Sequence, residues 1–193
     1  MTAFNRIFTT ERLLLRPFQI DDLGTFVAYR SDVEVARYQS WEPTYSMADA
    51  ESFLDSQIGL VFGAPGEWMQ LAITDRDAGT VYGDCAVRVL TDQPATAEIG
   101  VTLAPTSQGK GIATEALTAV LDELFDKLRM HRVFAETDDR NGAVGRLFER
   151  LGFRCEARLV EADWFKGEWS TLRVYATLNR QWRDRQSTRV GGG

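Results

Sequence analysis

The chain has 193 residues, 44% of them hydrophobic and 26% charged, a composition typical of a folded globular protein. This length predicts a single domain, which we assign to residues 1–178, followed by a C-terminal tail at 179–193. The net charge of −6 argues against a nucleic-acid-binding protein with a broad basic surface. No apolar run approaches the roughly 18 residues of a membrane span. The first residues lack the apolar core of a signal peptide, so we expect a cytoplasmic protein without a membrane partner.

The N-terminal part is predicted to contain an edge strand followed by three helices. Pro17 favours the edge, because proline cannot donate to a central hydrogen-bond ladder. Asp21 or Asp22 is expected to cap the first helix, and Ser46 the third, whose inward side is predicted to include Ile58. The four elements are predicted over 12–18, 22–30, 32–38 and 46–62, with an aromatic loop over 39–46.

The rest of the chain predicts an antiparallel meander of three strands, a long amphipathic helix, a strand, a second helix and a closing hairpin. The meander strands are predicted over 67–74, 80–90 and 96–103, the long helix over 110–128, and the later elements over 132–136, 141–151, 153–163 and 168–178. This order of elements is typical of a mixed α/β sheet and not of a doubly wound one.

The most informative segment is Glu98–Ala116, where a strand ends at Pro105, a turn with Gly109 and Gly111 follows, and the long helix begins. The first amides of a helix have no internal partner, and the helix dipole adds partial positive charge there. Glycines allow a phosphate to come close to the main chain. The segment therefore predicts a binding site for a phosphate-bearing ligand.

Two common phosphate-binding motifs fit this turn poorly. A P-loop requires glycine where the chain has Ala104, and Ser or Thr where Gly111 follows Lys110. A dinucleotide fingerprint requires a third glycine, where the chain has Thr114, and a series of βα units instead of antiparallel strands. A Rossmann-like oxidoreductase is therefore disfavoured, while a turn that merely connects strand to helix stays an alternative.

A third interpretation rests on resemblance to a family. The turn Gln108-Gly-Lys-Gly-Ile-Ala113 resembles the Q/R-x-x-G-x-G/A motif of the GNAT superfamily of N-acetyltransferases. Asn141–Phe153 resembles the N-x-x-(A/S)-x-x-L-Y-x-K-x-G-F segment of that family. Thr10–Pro17 and Trp164–Trp169 resemble its Rim-type branch, which acetylates ribosomal-protein N-termini. The resemblance spans about residues 9–178 and implies a mostly antiparallel sheet, splayed at a central parallel strand pair, with helices on both faces.

The resemblance implies that acetyl-coenzyme A is the cosubstrate. The turn amides would hold the pyrophosphate, the backbone near Val101 would pair with the pantetheine, and Asn141 would bond the pantetheine arm or simply cap its helix. The cofactor-binding residues implied are Val101, Leu103, Gln108, Gly109, Lys110, Gly111, Ile112, Ala113, Asn141 and Phe148. No metal is expected, because no cluster of His, Cys and acidic residues has metal-ligand spacing.

Acetyl transfer to an amine requires a base for the ammonium group and a donor for the developing oxyanion. The resemblance implies Glu98 and Asp163 as candidate catalytic carboxylates, with Glu98 at the position of a base. The Val101 amide is the candidate oxyanion donor. Glu42 is a third candidate, better suited to holding a cationic substrate. A solvent-facing strand residue and a turn residue are the alternative interpretations of Glu98 and Asp163. Aromatic candidates for the acceptor pocket are Trp41, Tyr45, Trp68, Trp164 and Trp169.

We therefore interpret the chain as an N-acetyltransferase that acts on a primary amine, either a protein N-terminus or a small molecule, by direct attack in a ternary complex. Many relatives carry Tyr at the position of Phe148 and Ser at that of Val144, so the proton donor for the thiolate is unassigned. A catalytically silent acyl-coenzyme A-binding protein is the alternative. A homodimer is compatible with the sequence, in which we recognise no interface.

Overall fold

The computed structural model describes residues 8–190, with side chains described through Ser187. The expectations for the first six residues and for the final glycines lie outside this part of the chain. The strands are β1 (Phe8–Thr9), β2 (Leu13–Pro17), β3 (Met69–Asp75), β4 (Val81–Val89), β5 (Thr96–Leu103), β6 (Arg132–Asp138), β7 (Arg154–Phe165) and β8 (Glu168–Leu178).

The helices lie between these strands and after the last one. They are α1 (Leu23–Arg30), α2 (Val33–Ala36), α3 (Met47–Ser56), α4 (Ile112–Asp122), α5 (Gly142–Leu151) and α6 (Asn179–Val190). Within residues 8–190, no helix is both long enough and apolar enough to cross a bilayer.

All eight strands form one sheet in the order β1-β2-β3-β4-β5-β6-β8-β7. Every neighbouring pair is antiparallel except β5 and β6, which are parallel over three register pairs only, Thr96–Glu98 against Arg132–Phe134. The prediction of a mixed sheet with a central parallel pair is confirmed.

Two hydrophobic clusters cover opposite faces of the sheet. Successive strand residues point to opposite faces, and Leu71 and Ile73 belong to one cluster whereas Ala72 belongs to the other. The larger cluster contains the buried faces of α4 and α5, including Leu117. The smaller one contains residues of α1 and α3, including Phe26. The helices therefore sandwich the sheet, with α4 and α5 on one face and α1 and α3 on the other.

The prediction for the third helix is wrong at its end. Ser46 caps α3 as predicted, accepting a hydrogen bond from the Asp49 amide, but the helix stops at Ser56 and Ile58 is 75% exposed. The Gln57 side chain explains the early stop, because it bonds the amide of Gln70 at 2.8 Å and the carbonyl of Trp68 at 3.2 Å. These bonds tie the chain to β3 at the point where another helical turn would carry it away.

Two other helices differ in detail from the prediction. Asp22 precedes α1 without capping it through its side chain; its carboxylate accepts instead from the Gln19 amide and forms an ion pair with Arg16 at 2.6 Å. The long helix is shorter than predicted, because α4 ends at Asp122 and passes into a π-helical turn, Glu123–Lys127.

The expected C-terminal tail is instead a packed helix over most of its length. Trp182 of α6 is 1% exposed, and its indole nitrogen donates to Asp122 at 2.9 Å. Asn179 donates to the carbonyls of Phe125, in the π-helical turn, and of Met130, just after it. A single buried aromatic residue anchors this otherwise polar helix, so the periodic apolar pattern that reveals other helices is missing.

We expect Trp182→Ala to lower the free energy of unfolding by about 3–5 kcal/mol, because it opens a cavity in a close-packed core. Trp169→Ala is the matched control: Trp169 is 58% exposed and contacts Trp164 edge to face, and its loss should cost about 1 kcal/mol or less. Urea denaturation followed by circular dichroism measures both. Equal effects of the two substitutions would contradict the packing of α6.

Candidate active site

The sheet forks between β5 and β6. Their pairing ends at Glu98 and Phe134, while β5 continues to Leu103. In the β4–β5 ladder, the bonds Leu90 N–Thr96 O and Ala104 N–Tyr82 O show that even-numbered residues of β5 bond to β4. Since bonded and non-bonded pairs alternate in an antiparallel ladder, the peptide groups of Val101 and Leu103 point away from β4. They therefore face the open fork.

The turn after β5 presents a row of main-chain amides without partners. Gly109 and Gly111 have φ values of 72° and 78°, and Gly111 is the N-cap of α4. Within residues 8–190, no hydrogen bond is recorded from the amides of residues 109–113, whereas the Gln108 amide bonds the Pro105 carbonyl at 3.3 Å. The predicted row of turn amides is therefore in place, except that it begins at Gly109. With the N-terminus of α4 behind it, this row favours a bound anion.

Side chains brace this turn from both sides. Gln108 donates to the Leu103 carbonyl at 3.2 Å, and Arg12 donates to the Lys110 carbonyl at 3.3 Å. Arg12 is also paired with Glu115 of α4 at 2.6 Å. Partial burial would raise the pKa of Glu115, but hydrogen bonds from Thr10 and Arg12 hold this pKa below its ordinary value. Sequence analysis missed Arg12, which lies 98 residues from Lys110 in the chain.

The later helix contributes a cap and a buried ring. Asn141 caps α5, accepting from the Val144 amide at 3.3 Å, so one of its two predicted interpretations is observed. Phe148 is 2% exposed and stacks on Tyr175, with ring centroids 5.8 Å apart. Phe148 therefore belongs to the aromatic core beneath α5, and its direct contact with a cofactor stays a prediction.

A cavity of about 440 Å³ opens on the α1–α3 face of the sheet, beside the fork. Its floor includes Asp84 of β4 and residues 100–102 of β5, and its walls include Arg30, Trp41 and Trp68. The volume is in the range of small-ligand sites. Two of the five predicted aromatic residues, Trp41 and Trp68, thus line a pocket next to the peptide groups that face the fork.

Asp84 and its partners form a buried polar cluster in this cavity. The Asp84 carboxylate is 1% exposed and accepts from the Tyr29 hydroxyl at 2.5 Å and from Gln70 at 3.2 Å. Burial raises the pKa of Asp84, although the charge of Arg30 and the bond from Tyr29 act in the opposite direction. Sequence analysis missed this residue, because a single acid inside a strand carries no local motif. A buried carboxyl with a perturbed pKa beside a cavity is a common feature of functional sites.

A second cavity, of about 520 Å³, lies where β5 and β6 begin to separate and is lined by Arg88, Glu98 and Glu136. Glu98 is ion-paired with Arg88 at 2.5 Å. The pKa of Glu136 is raised, mainly by burial and also by the negative charges of Glu98 and Asp163. The positive charge of Arg88 acts in the opposite direction and lowers this pKa. Glu98 therefore lies at the fork together with Glu136, which sequence analysis missed, whereas Asp163 lies on β7 and is linked to this site by the effect of its charge on Glu136. We call Glu98, Glu136 and Asp163 the fork carboxylates.

The β7–β8 hairpin reaches across to the aromatic loop. Lys166 at its tip donates to the carbonyls of Ala36 and Trp41 at 2.8 and 2.7 Å, and lies 3.8 Å from the Glu42 carboxylate. Trp164 and Trp169 lie on this hairpin and are mostly exposed, outside the lining of either cavity. The hairpin therefore holds in place the loop that carries Trp41.

Comparison with known proteins identifies the family. The profile described as "Acetyltransferase (GNAT) domain" matches residues 12–154, most of the chain. The chain belongs to the GNAT family of acetyltransferases. Membership of this family makes the chain an acetyl-coenzyme A-dependent N-acetyltransferase.

Individual relatives of this GNAT protein act on different amines. The chain is 27% identical to an uncharacterized N-acetyltransferase, p20, of Bacillus licheniformis, over 90% of this chain and 96% of the relative. It is 24% identical to the ribosomal protein uS5-alanine N-acetyltransferase of Escherichia coli, over 90% and 91%. The crystal structure of spermidine N-acetyltransferase from Vibrio cholerae, in complex with CoA and spermine, has the same fold: the TM-score is 0.76 at 22% identity, with coverage of 90% and 99%.

We expect Lys166→Met to raise the KM of the acetyltransferase for its acceptor about three- to tenfold, because the loop carrying Trp41 loses two hydrogen bonds. The affinity for coenzyme A should not change, since the turn after β5 is untouched. Lys127→Met, at an exposed lysine after α4, is the control. Steady-state kinetics with varied acceptor test the expectation, which fails if both variants behave alike.

Asp84 should make the GNAT fold less stable as the pH rises. Its folded-state pKa lies above the unfolded value of about 3.9, so the folded state binds the proton more tightly. Stability therefore falls from about pH 4 up through the folded pKa and stays reduced above it. We expect Asp84→Asn to remove this loss and to raise the melting temperature more at pH 8 than at pH 4.

Asp138→Asn provides a control of opposite sign. A hydrogen bond from Arg140, despite partial burial, holds the pKa of Asp138 below its ordinary value. The carboxylate therefore stabilises the folded state above about pH 4, and Asp138→Asn should lower the melting temperature at pH 8. Thermal denaturation of both variants at the two pH values measures the effects; the same sign for both would contradict the assignment.

Proposed function

We propose that this GNAT protein transfers the acetyl group of acetyl-coenzyme A to a primary amine by direct attack in a ternary complex. The observation that carries the proposal is that the open edge of β5 connects two parts of the site. It leads from the amides at 109–113, which have no partner among residues 8–190, to the cavity on the opposite face of the sheet. A cofactor that is held at the turn and extends along β5 brings its thioester within reach of an amine in that cavity.

The cofactor contacts follow from the open peptide groups. The amides of Gly109 to Ala113 hold the pyrophosphate, with Lys110 adding charge and Gln108 bracing the turn. The peptide groups of Val101 and Leu103 pair with the pantetheine amides as an additional strand would. The Asn141 side chain, whose oxygen caps α5, donates from its nitrogen to the pantetheine arm. Phe148 supports this region from within the core.

In the chemical step, the neutral amine attacks the thioester carbonyl, and the tetrahedral intermediate then breaks its C–S bond and releases the coenzyme A thiolate. The Val101 amide, which faces the fork, stabilises the developing oxyanion. The fork carboxylates Glu98, Glu136 and Asp163 take up the proton of the ammonium group; Glu136 is best suited, because its raised pKa brings it closer to the working pH of a general base. Arg88 holds Glu98 in place. The two relatives that act on a ribosomal protein and on spermidine support an amine acceptor.

A catalytically silent acyl-coenzyme A-binding protein is the second candidate. Phe148 and Val144 favour it, because neither side chain can protonate the departing thiolate. Measuring thiol release with a panel of primary amines distinguishes the two functions. Turnover with any of the amines supports the enzyme, whereas cofactor binding without turnover on any amine supports the silent protein.

We expect Gly109→Val to weaken coenzyme A binding about 10- to 100-fold, because the added side chain keeps the pyrophosphate from the amides and each charge-assisted bond contributes roughly 1.5–3 kcal/mol. Gly79→Val is the matched control: Gly79 has φ of 71° against 72° for Gly109, and an added Cβ would have no neighbour within 4 Å at either site. Both variants thus carry the same backbone strain.

Isothermal titration with coenzyme A measures the affinities, and thermal denaturation confirms that both variants are folded. Equal affinity of Gly109→Val and Gly79→Val for coenzyme A would contradict the placement of the pyrophosphate at this turn.

A further inference from the structure

Arg30 is a buried cation in the wall of the cavity beside the fork. The residue is 6% exposed, and its Nε is buried without a hydrogen-bond partner among residues 8–190. A buried donor that lacks a partner is rare in folded proteins and destabilises them. Because Arg30 lines the cavity, its guanidinium places a positive charge beside any ligand bound there.

Aromatic rings fix the position of this guanidinium. Its carbon lies 3.8 Å from the centroid of Trp41, 4.3 Å from that of Phe26, 5.2 Å from Tyr45 and 5.5 Å from Phe53. These are cation–π distances. The rings that could otherwise surround a cationic substrate are thus already occupied by a cation of the protein itself.

Asp84 acts as the counter-charge of Arg30 in the same cavity. Both carboxylate oxygens already accept hydrogen bonds, one from Tyr29 and the other from Gln70. The raised pKa of this carboxyl shows that burial outweighs the attraction to Arg30. Asp84 therefore reduces the positive potential around Arg30 without saturating its donors.

We propose that Arg30 is a specificity-determining residue and that the acceptor is an amine carrying a carboxylate or carbonyl oxygen, as in an amino acid or the first residue of a peptide. The inference rests on the proposed function. When the amine lies above Gly100, next to the thioester, the adjoining part of the acceptor lies in the cavity that Arg30 lines. An oxygen there is attracted by the guanidinium of Arg30, whereas the second ammonium of a polyamine is repelled by the same charge in a low-dielectric site.

The experiment compares acceptors that differ in this one group. Thiol release is measured for the wild-type protein with two classes of acceptor. The oxygen-bearing acceptors are free amino acids, the corresponding amino-acid amides and dipeptides with a free N-terminus. The polyamines are putrescine and spermidine. We expect kcat/KM for the best oxygen-bearing acceptor to exceed that for the polyamines by about tenfold or more, since one charge-assisted bond corresponds to about this factor. Comparison of amino acids with dipeptides then distinguishes a free amino acid from a peptide N-terminus.

Variants test the role of Arg30 itself. We expect Arg30→Met, which keeps a long apolar stem between the rings, to lower kcat/KM for oxygen-bearing acceptors about 10- to 100-fold, mainly through KM. For putrescine the change should be within about threefold. Arg30→Lys keeps the charge in the aromatic site and is measured as well, in case the methionine variant fails to fold. Arg37→Met, at an exposed arginine of the neighbouring segment, should leave all acceptors unaffected.

The outcomes separate this inference from the proposed function. Preference of the wild type for polyamines, or an equal loss for every acceptor in both Arg30 variants with coenzyme A affinity intact, would overturn the role of Arg30 and leave the acetyltransferase assignment standing. Coenzyme A binding without turnover on any amine would overturn both.

Discussion

The short pairing of β5 with β6 is the constraint on which the site depends. Three register pairs join the two halves of the sheet, while β5 stays bonded to β4 and β6 to β8 along their whole lengths. Beyond Glu98, the β5 peptide groups that face β6 have no partner on that strand. Of the peptide groups of Val101 and Leu103, only the Leu103 carbonyl has a side-chain partner within residues 8–190, namely Gln108. Backbone groups buried without partners are unfavourable. A ligand with amides at strand spacing can satisfy them, which makes the fork a binding site by virtue of backbone geometry alone.

In the proposed function, acetyl-coenzyme A and the acceptor amine bind on opposite faces of the sheet, which differ in charge. On the side of α4, the amides after β5 and the N-terminus of the helix offer partial positive charge without a deep pocket. On the side of α1 and α3, buried Arg30 and Asp84 line the cavity, and Glu98 and Glu136 line the second cavity at the fork. Under the proposed function, the polyanionic cofactor is therefore attracted to one face and the amine to the other, and the two meet at the open edge of β5.

Much of this architecture could be predicted from sequence, because its signals are local. The bounds of β5 were predicted residue for residue, and the caps Ser46 and Asn141 follow from side-chain preferences within a few residues. The acceptor cavity could not be predicted in this way. Tyr29 and Asp84 lie 55 residues apart and meet only in the folded chain. The packing of α6 was missed for a related reason, since a single tryptophan carries it.

The aromatic core beneath α5 bears on whether the fold is active. The Phe148 ring stacks on Tyr175 and packs against Phe153 at a tilt, so a hydroxyl at this position would have to reach the fork from a tightly packed ring. The pKa of a thiol is roughly 8–9, so a coenzyme A thiolate can depart with water as its proton source. An amine, by contrast, cannot attack while it is protonated. Removal of the ammonium proton is therefore the more demanding transfer, and the fork carboxylates are the groups that we propose for it. On this proposal, the missing hydroxyl affects only protonation of the thiolate, and the proton acceptor for the amine is retained.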